Sequence, residues 1–313
     1  MRLSVVVPVL NEQENVPALA PKLRSVLEPL TREFEIVFVD DGSTDGTAEA
    51  VANLHSQDPR IKLLSFSRNF GHQFALTAGL DFADGDAVIL MDGDFQHPPE
   101  LIPEMVAKWK QGFEVVHTRR KETAGASFFK NLSSRYYYFL FRRFSGIRNF
   151  RDAADFRLLD RRAVLALRQC RERARFLRGL AFWVGFRSCF LEFSAPARKY
   201  GVTKYSVRRM FRFAADGILS FSPLPLYFSL YLGLLSCVFG AVYGAFAVWE
   251  KLFGKGVVPG WTSTVIMLSL FGGMQMLLMG VLGLYVGKIF EEIKQRPVYL
   301  LRRSLGIESA EAR

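Results

Sequence analysis

Val88–Glu100 reads V-I-L-M-D-G-D-F-Q-H-P-P-E. The apolar run Val88 to Met91 predicts a buried strand, with Asp92-Gly93-Asp94 at its carboxyl end. Pro98-Pro99 cannot continue a strand ladder, and it presets the first turn of a helix near Glu100. Two carboxylates spaced i, i+2 where a strand opens into a loop can reach one hard cation. Gly93 would let a phosphorylated ligand approach the backbone. Mg²⁺ or Mn²⁺ held this way takes one or two carboxylates and fills its other positions with phosphate oxygens and water. A solvated acidic turn is the plain alternative, and the flanking sequence argues against it.

Upstream, Leu3–Pro8, Phe34–Val39 and Ile61–Phe66 are apolar β runs, and Asp86–Met91 is the fourth. Between them helical patterns run from Glu14 to about Leu30, through about Ser56, and from Phe70 to Ala83. Ser43 or Thr44 can cap the second of these, with Asp45 favourable at its positive end. Pro99–Gln111 reads as a helix and Phe113–Thr118 as a fifth strand. Strands alternating with helices of this length predict an α/β fold with a mostly parallel sheet. Ligands of such sheets collect at the carboxyl ends of the strands. Pro8–Glu12, the acidic cluster at 40–45 and Asp92–Asp94 all fall there.

The net charge of +11 is unevenly spread. Residues 1–118 carry 9 Lys/Arg against 18 Asp/Glu, whereas residues 119–212 carry 24 against 6. A basic middle suits nucleic acid, anionic lipid or a phosphorylated substrate. Two uncharged stretches follow, 33 residues from Gly217 to Trp249 and 32 from Gly256 to Gly287. Each exceeds the roughly 20 apolar residues needed to cross a bilayer. Arg198–Arg212 before the first and Lys288–Arg303 after the second are basic, which places both flanks in the cytoplasm. Nucleic acid thereby becomes the weaker partner. Gly240/Gly244 and Gly283/Gly287 are small-xxx-small pairs suited to close packing, within a hairpin or between copies. Cys170, Cys189 and Cys237 have no metal-ligand spacing and read as reduced thiols. Leu3–Val7, ended by Pro8, is too short for a secretory signal.

V-V-V-P-V-L-N-E, V-D-D-G-S-T-D-G-T, S-R-N-F-G-H and M-D-G-D-F-Q-H-P-P-E together resemble the inverting family-2 glycosyltransferases with a GT-A fold. R-D-A-A-D-F-R-L-L-D-R, R-F-L-R-G-L-A-F-W-V-G-F and A-R-K-Y-G-V-T-K-Y-S narrow the likeness to the polyprenyl-phosphate glycosyltransferases. It runs from about Leu3 to Phe221, with Thr203 where Ser is usual. The resemblance implies a nucleotide-sugar pocket of Pro8, Leu10, Glu12, Val39, Asp40, Asp41, Asp92 and Gly93, with Asp40 or Asp41 reading the uracil edge. It gives Asp92, Asp94 and Gln96 to Mg²⁺ or Mn²⁺. Arg119, Lys130, Ser134 and Arg178 fall to the lipid phosphate, and Arg198 and Lys204 to a loop over the diphosphate. Asp155 is the acceptor-side carboxylate, so that Asp94, Asp155 and Arg198 carry the chemistry. His72 could touch a phosphate, whereas His97 is expected to pack beside Pro98.

The expected layout is a GT-A-like catalytic domain over 1–200, including an interfacial helix at about 126–145. A juxtamembrane amphipathic helix over 201–222 follows, then transmembrane helices over 223–249 and 262–287 and a cytosolic basic tail over 288–313. In both interfacial helices arginines alternate with apolar residues, as suits a helix in the headgroup layer. A core helix with snorkelling arginines would look similar. The implied enzyme is a multi-pass protein of the bacterial inner membrane with a cytoplasmic catalytic domain. It would move a sugar, by default glucose, from a UDP-sugar to undecaprenyl phosphate, as a homo-oligomer of up to four chains. The rivals are a processive polysaccharide synthase, which would carry more spans and a Q-x-x-R-W motif, and a silent lipid-binding scaffold.

Overall fold

The computed structural model describes residues 1–120, 153–173, 175–194, 224–253 and 260–307. The chain divides into two units, Met1–Ser206 with Arg296–Arg313, and Val207–Gln295. The first is built on a mixed sheet. β1 (Leu3–Val9) and β2 (Phe34–Asp40) are buried along their whole length. They therefore read as continuous apolar runs rather than alternating ones. β3 (Ile61–Phe66), β4 (Ala87–Leu90), β5 (Val115–Arg120), β6 (Ala153–Asp160), β7 (Ser188–Phe193) and β8 (Leu301–Leu305) complete it, in the order β7-β5-β6-β4-β1-β2-β3-β8. β1 pairs parallel with β2 and β4, β2 with β3, and β5 with β7. The β3–β8, β4–β6 and β5–β6 pairs are antiparallel. The sheet is thus mostly parallel, as the alternating pattern predicts.

Helices cover both faces. α1 (Val16–Leu27) buries Val16, Leu19, Ala20, Leu23 and Leu27, the stripe expected of a helix with one face on a core. α2 (Thr47–Gln57) and α3 (His72–Phe82) follow β2 and β3. α3 lies hard against β1, since a Cβ on Gly79 would come within 2.0 Å of Val6 Cγ1. That contact fixes where the first turn of α3 emerges, at the carboxyl end of the strands. Pro99–Leu101 is a single 3₁₀ turn leading into α4 (Ile102–Lys110), so the expected helix from Pro99 begins tighter than an α-helix. α5 (Arg161–Gln169) and α6 (Leu177–Trp183) flank β6 and β7.

Two expectations change. Ser43 and Thr44 do not cap α2: the Thr47 N–H donates to Asp45 Oδ1 at 3.0 Å, while Ser43 and Thr44 bond to Asn11. Residues 301–305, expected in a basic tail, are β8, which pairs with β3 and takes the edge of the sheet. An edge strand offers unpaired backbone groups that any extended segment can satisfy, even one carrying charged side chains.

The second unit holds α7 (Leu224–Phe253) and α8 (Trp261–Ile293). Both are long and apolar enough to cross a membrane, with windows Leu226–Glu250 and Ile266–Ile293 of mean hydropathy 1.8. The expected spans at 223–249 and 262–287 fall almost wholly within them. Ser236 Oγ accompanies the helix contact at 2.6 Å from Met274 Sδ, and a Cβ on Gly240 would sit 3.9 Å from Phe271. Gly283 and Gly287 face open space. The expected interfacial helices at 126–145 and 201–222 lie outside the described residues.

Candidate active site

The order β4-β1-β2-β3 places a topological switch between β1 and β4: the chain runs outward through β2 and β3, then returns to the other side of β1. Crevices at such points are where open α/β sheets bind ligands. Leu10–Glu12 leave β1 there and Asp92–Asp94 leave β4 there. Leu10 is exposed at the lip. Pro8 and Val39, expected in the nucleotide pocket, are buried near the carboxyl ends of β1 and β2.

Loops β1–α1 and β2–α2 are cross-braced. The Asn11 N–H donates to Ser43 Oγ (2.9 Å), the Thr44 N–H to Asn11 Oδ1 (2.9 Å), and the Glu12 N–H to Thr47 Oγ1 (2.9 Å). The Gly46 N–H donates to Gln13 Oε1 at 3.0 Å. Asp40 and Asp41 brace the same region from below. Asp40 accepts from the Ser43 N–H (2.9 Å) and the Ser65 hydroxyl (2.7 Å). Asp41 accepts from the N–H groups of Phe70 (2.7 Å) and Gly71 (3.0 and 3.1 Å). Both carboxylates are buried. Burial pushes the Asp41 carboxyl up despite those two donors. Gly42, with φ +72°, lets its backbone lie against Arg68–Asn69, where a Cβ would come within 2.4 Å of Arg68 C. The acidic turn is therefore first a clamp on the β3–α3 loop.

At the end of β4 the backbone turns through Phe95, whose φ of +62° is unusual for an aromatic residue. That turn sends the Phe95 ring to the core. The Gln96 N–H donates to Asp94 Oδ1 at 3.1 Å. Gly93 also has a packing reason: a Cβ there would meet Val9 Cγ1 at 3.0 Å, a close approach to β1. His97 is buried and stacked on Phe156 at 5.1 Å, and its Nδ1 accepts the Asp92 N–H at 2.9 Å. It supports the carboxylate turn from behind. His72, half-exposed at the start of α3, puts Nε2 3.5 Å from Asp92 Oδ1.

Asp92 Oδ1 is buried without a hydrogen-bond partner. A buried carboxylate oxygen with no hydrogen bond, and with His72 Nε2 no nearer than 3.5 Å, is costly unless a positive group reaches it, so the turn fits a divalent cation. Among the described residues no three His, Cys, Asp or Glu converge as a ligand set. Asp92 and Asp94 would thus hold such an ion with Gln96 nearby, leaving its other positions to diphosphate oxygens and water.

The residues expected on the acceptor side, Arg119, Asp155 and Arg178, lie on β5, β6 and α6. Arg178 Nη2 and Nε donate to the two oxygens of Asp155 at 2.6 and 3.1 Å, a bidentate pair. Arg157, fully buried one residue pair along β6, donates to Ala154 O (2.9 Å) and to Asp155 Oδ1 (3.4 Å). Burial alone would raise the Asp155 pKa, but Arg178 and Arg157 outweigh it and hold the carboxyl far below the ordinary range. His72 adds to that hold. The carboxylate is committed to organising two guanidinium groups. Burial lowers the Arg157 pKa to about 10, short of neutralising it at any physiological pH. Arg119 lies with its guanidinium 4.9 Å over the Phe190 ring, its Nε buried and without a partner among the described residues.

Arg157, Gln73 and His117 were not anticipated. Gln73 Oε1 accepts the Leu177 N–H at 2.9 Å, tying α6 to the first turn of α3. His117 stacks on Phe182 at 4.0 Å, and burial with Arg157 nearby drives its pKa down to about 2, so it serves as a neutral aromatic plate. A single buried Arg in an apolar strand was the available signal, since such a cation needs a carboxylate partner. Lys130, Ser134, Arg198 and Lys204 lie outside the described residues.

An α/β sheet with acidic turns at its switch point is a scaffold that binds ligands in that crevice. Residues 4–167 match glycosyl transferase family 2, and the chain belongs to that family. An uncharacterized glycosyltransferase of Bacillus subtilis, YkcC, is 40% identical over 309 residues, covering 99% of this chain and 96% of that protein. The SfII prophage-derived bactoprenol glucosyl transferase of Shigella flexneri is 36% identical over 304 residues (97% of this chain, 98% of that one). The prophage bactoprenol glucosyl transferase homolog of Escherichia coli K12 is 36% identical over 303 residues (97% and 99%). Among solved structures, mannosyl-3-phosphoglycerate synthase from Rubrobacter xylanophilus is similar at a TM-score of 0.48 and 17% identity, over 70% of this chain and 72% of that one.

Proposed function

We propose that this glycosyltransferase moves one hexose, by default glucose, from a UDP-sugar to undecaprenyl phosphate, with inversion at the anomeric carbon. One observation carries the reading. The carboxylate turn Asp92–Asp94 and the Asp155–Arg178 pair, one suited to a sugar diphosphate and the other to an acceptor anion, are joined through the first turn of α3. His72 reaches Asp92, and Gln73 holds the start of the helix bearing Arg178. Relatives called bactoprenol glucosyl transferases match nearly the whole chain, which supports both lipid acceptor and sugar.

The acceptor is a phosphate monoester with a second pKa of ~6, so its attacking oxygen is largely anionic at neutral pH. Little proton remains for a base to remove. The demand is to bring two anions together for in-line attack. Arg178, aimed by Asp155, and Arg119 would hold the acceptor phosphate, with Lys130 and Ser134 proposed beside them. Arg198 and Lys204 would cover the leaving diphosphate, where cations act on charge that builds in the transition state. Asp92 and Asp94, with Gln96 nearby, would hold a Mg²⁺ or Mn²⁺ ion that would supply further charge neutralisation there. Leu10, Glu12 and the Asp40–Asp41 turn frame the uracil side, with the buried Asp40 and Asp41 shaping the slot. The purified full chain, offered a nucleotide-sugar panel, is expected to release UDP only when a polyprenyl phosphate and a divalent cation are both present. Release without the lipid would count against the assignment.

α7 and α8 form the proposed membrane hairpin, with the catalytic unit on the cytoplasmic side of the inner membrane and self-association in the bilayer. A reporter fused at Lys255 is expected to read as periplasmic. Cytosolic behaviour of that fusion would refute the two-span topology.

A further inference from the structure

The segment following α8 rejoins the catalytic unit at a place the function above does not use. Arg173 Nη2 donates to Arg296 O at 2.6 Å. The Tyr299 hydroxyl donates to Asp81 Oδ2 at 2.8 Å, an oxygen that also accepts from Arg171 Nη1 at 2.7 Å. The Tyr299 ring lies flat on Phe66, centroids 5.2 Å apart and planes within 11°. Phe66 is the last residue of β3, and its ring meets that of Phe70 edge-on at 5.6 Å. The Ser67 N–H donates to Leu300 O at 2.9 Å before β8 pairs with β3.

Residues 67–71 are therefore gripped from two sides. Asp41 and Gly42 hold them on the side of the carboxylate turn, through the N–H groups of Phe70 and Gly71 and the close approach at Arg68. On the other, Leu300 O holds the Ser67 N–H, and Tyr299 stacks on Phe66 immediately before the loop. The next residues are His72, beside Asp92, and Gln73, which anchors the helix of Arg178.

We propose that residues 296–305 are a strap that positions the nucleotide-sugar pocket, with Tyr299 as its positioning residue. Donor affinity would then depend on the chain that returns from the second long apolar helix. The proposal rests on the reading that the loops after β1, β2 and β4 hold the nucleotide. The physical link is population: a loop freed on one side spends less time in the competent arrangement, and the apparent affinity falls by that fraction.

The test uses the full chain with Tyr299→Phe, Tyr299→Leu and Tyr299→Ala, reading UDP binding by calorimetry together with KM for donor and acceptor. Phe keeps the ring stack and should stay within about twofold of the parent. Leu and Ala lose the stack, and UDP Kd and donor KM should rise about fivefold to tenfold, the worth of an aromatic pair. Acceptor KM should stay within about twofold. If the Ala variant does not fold, the Leu variant, close to Tyr in apolar bulk, carries the same comparison. Unchanged UDP affinity in a folded Leu or Ala variant overturns the strap while leaving the function intact. Donor and acceptor KM rising together also overturns it, as that marks general loosening. A parent chain that fails to bind UDP removes both this inference and the function beneath it.

Discussion

Asp94→Asn is expected to lower sugar transfer by about 10²–10³-fold or more, the scale seen when a charge-stabilising group is removed from a transition state. The fold should survive. Asp94 Oδ1 accepts a local hydrogen bond from the Gln96 N–H, and the amide oxygen of Asn can accept the same bond. What the substitution removes is the negative charge that, in the proposed function, would face a divalent cation in the carboxylate turn. The loss should be largest when Mn²⁺ or Mg²⁺ is limiting, with UDP-sugar KM rising as kcat falls. Near-parental turnover at limiting cation, in a protein with an unshifted melting curve, would remove Asp94 from the site.

Asp155 should behave in the opposite way, costing more in stability than in chemistry. Asp155→Ala leaves the buried Arg157 and the half-buried Arg178 without their shared carboxylate. Breaking a buried ion pair by deleting one partner costs about 3–5 kcal/mol, which thermal or urea unfolding of the full chain would register. Asp155→Asn keeps the shape and one acceptor oxygen, and should impair turnover less than Asp94→Asn does. The pH dependence follows from the direction of the shift. The carboxyl is held below its unfolded value, so its stabilisation is complete above pH ~4. That contribution fades only as pH falls through the lower folded value. Asp155 thus contributes no limb to a pH–rate profile between pH 5 and 8. Activity should instead fall as pH drops through the acceptor's second ionisation near ~6. An Asp155→Asn enzyme as inactive as Asp94→Asn, with both substrates still bound, would make Asp155 an acid–base residue.

The two halves of the site were unequally legible in the sequence, for physical reasons. β1 to β4 are buried on both faces, so they appear as apolar runs, and each opens into its functional loop at a visible change of composition. The Asp-x-Asp turn needed no structure to find. β6 hid because A-A-D-F-R-L-L-D carries a buried Arg157 and the acidic Asp155, which offset each other in space and not along the chain. β8 hid because L-R-R-S-L lies at an edge, where backbone pairing and not apolar alternation decides the strand. Gly93 shows the limit at a single position. The motif marks the residue, but only the packing shows that its missing side chain makes room for Val9. The bracing role of Asp40 and Asp41 was hidden because its partners, Ser65, Phe70 and Gly71, lie more than twenty residues away.

The central claim is that one sugar passes to a lipid phosphate with inversion. The direct measurement is analysis of the product formed from UDP-α-glucose, undecaprenyl phosphate and Mn²⁺ or Mg²⁺ by mass spectrometry and by NMR at the anomeric carbon. The account predicts a single species carrying one glucose in β-linkage to the lipid phosphate, with one UDP released per lipid consumed. A ladder of longer saccharides, an α-linked product, or UDP release with free glucose and unmodified lipid would contradict it.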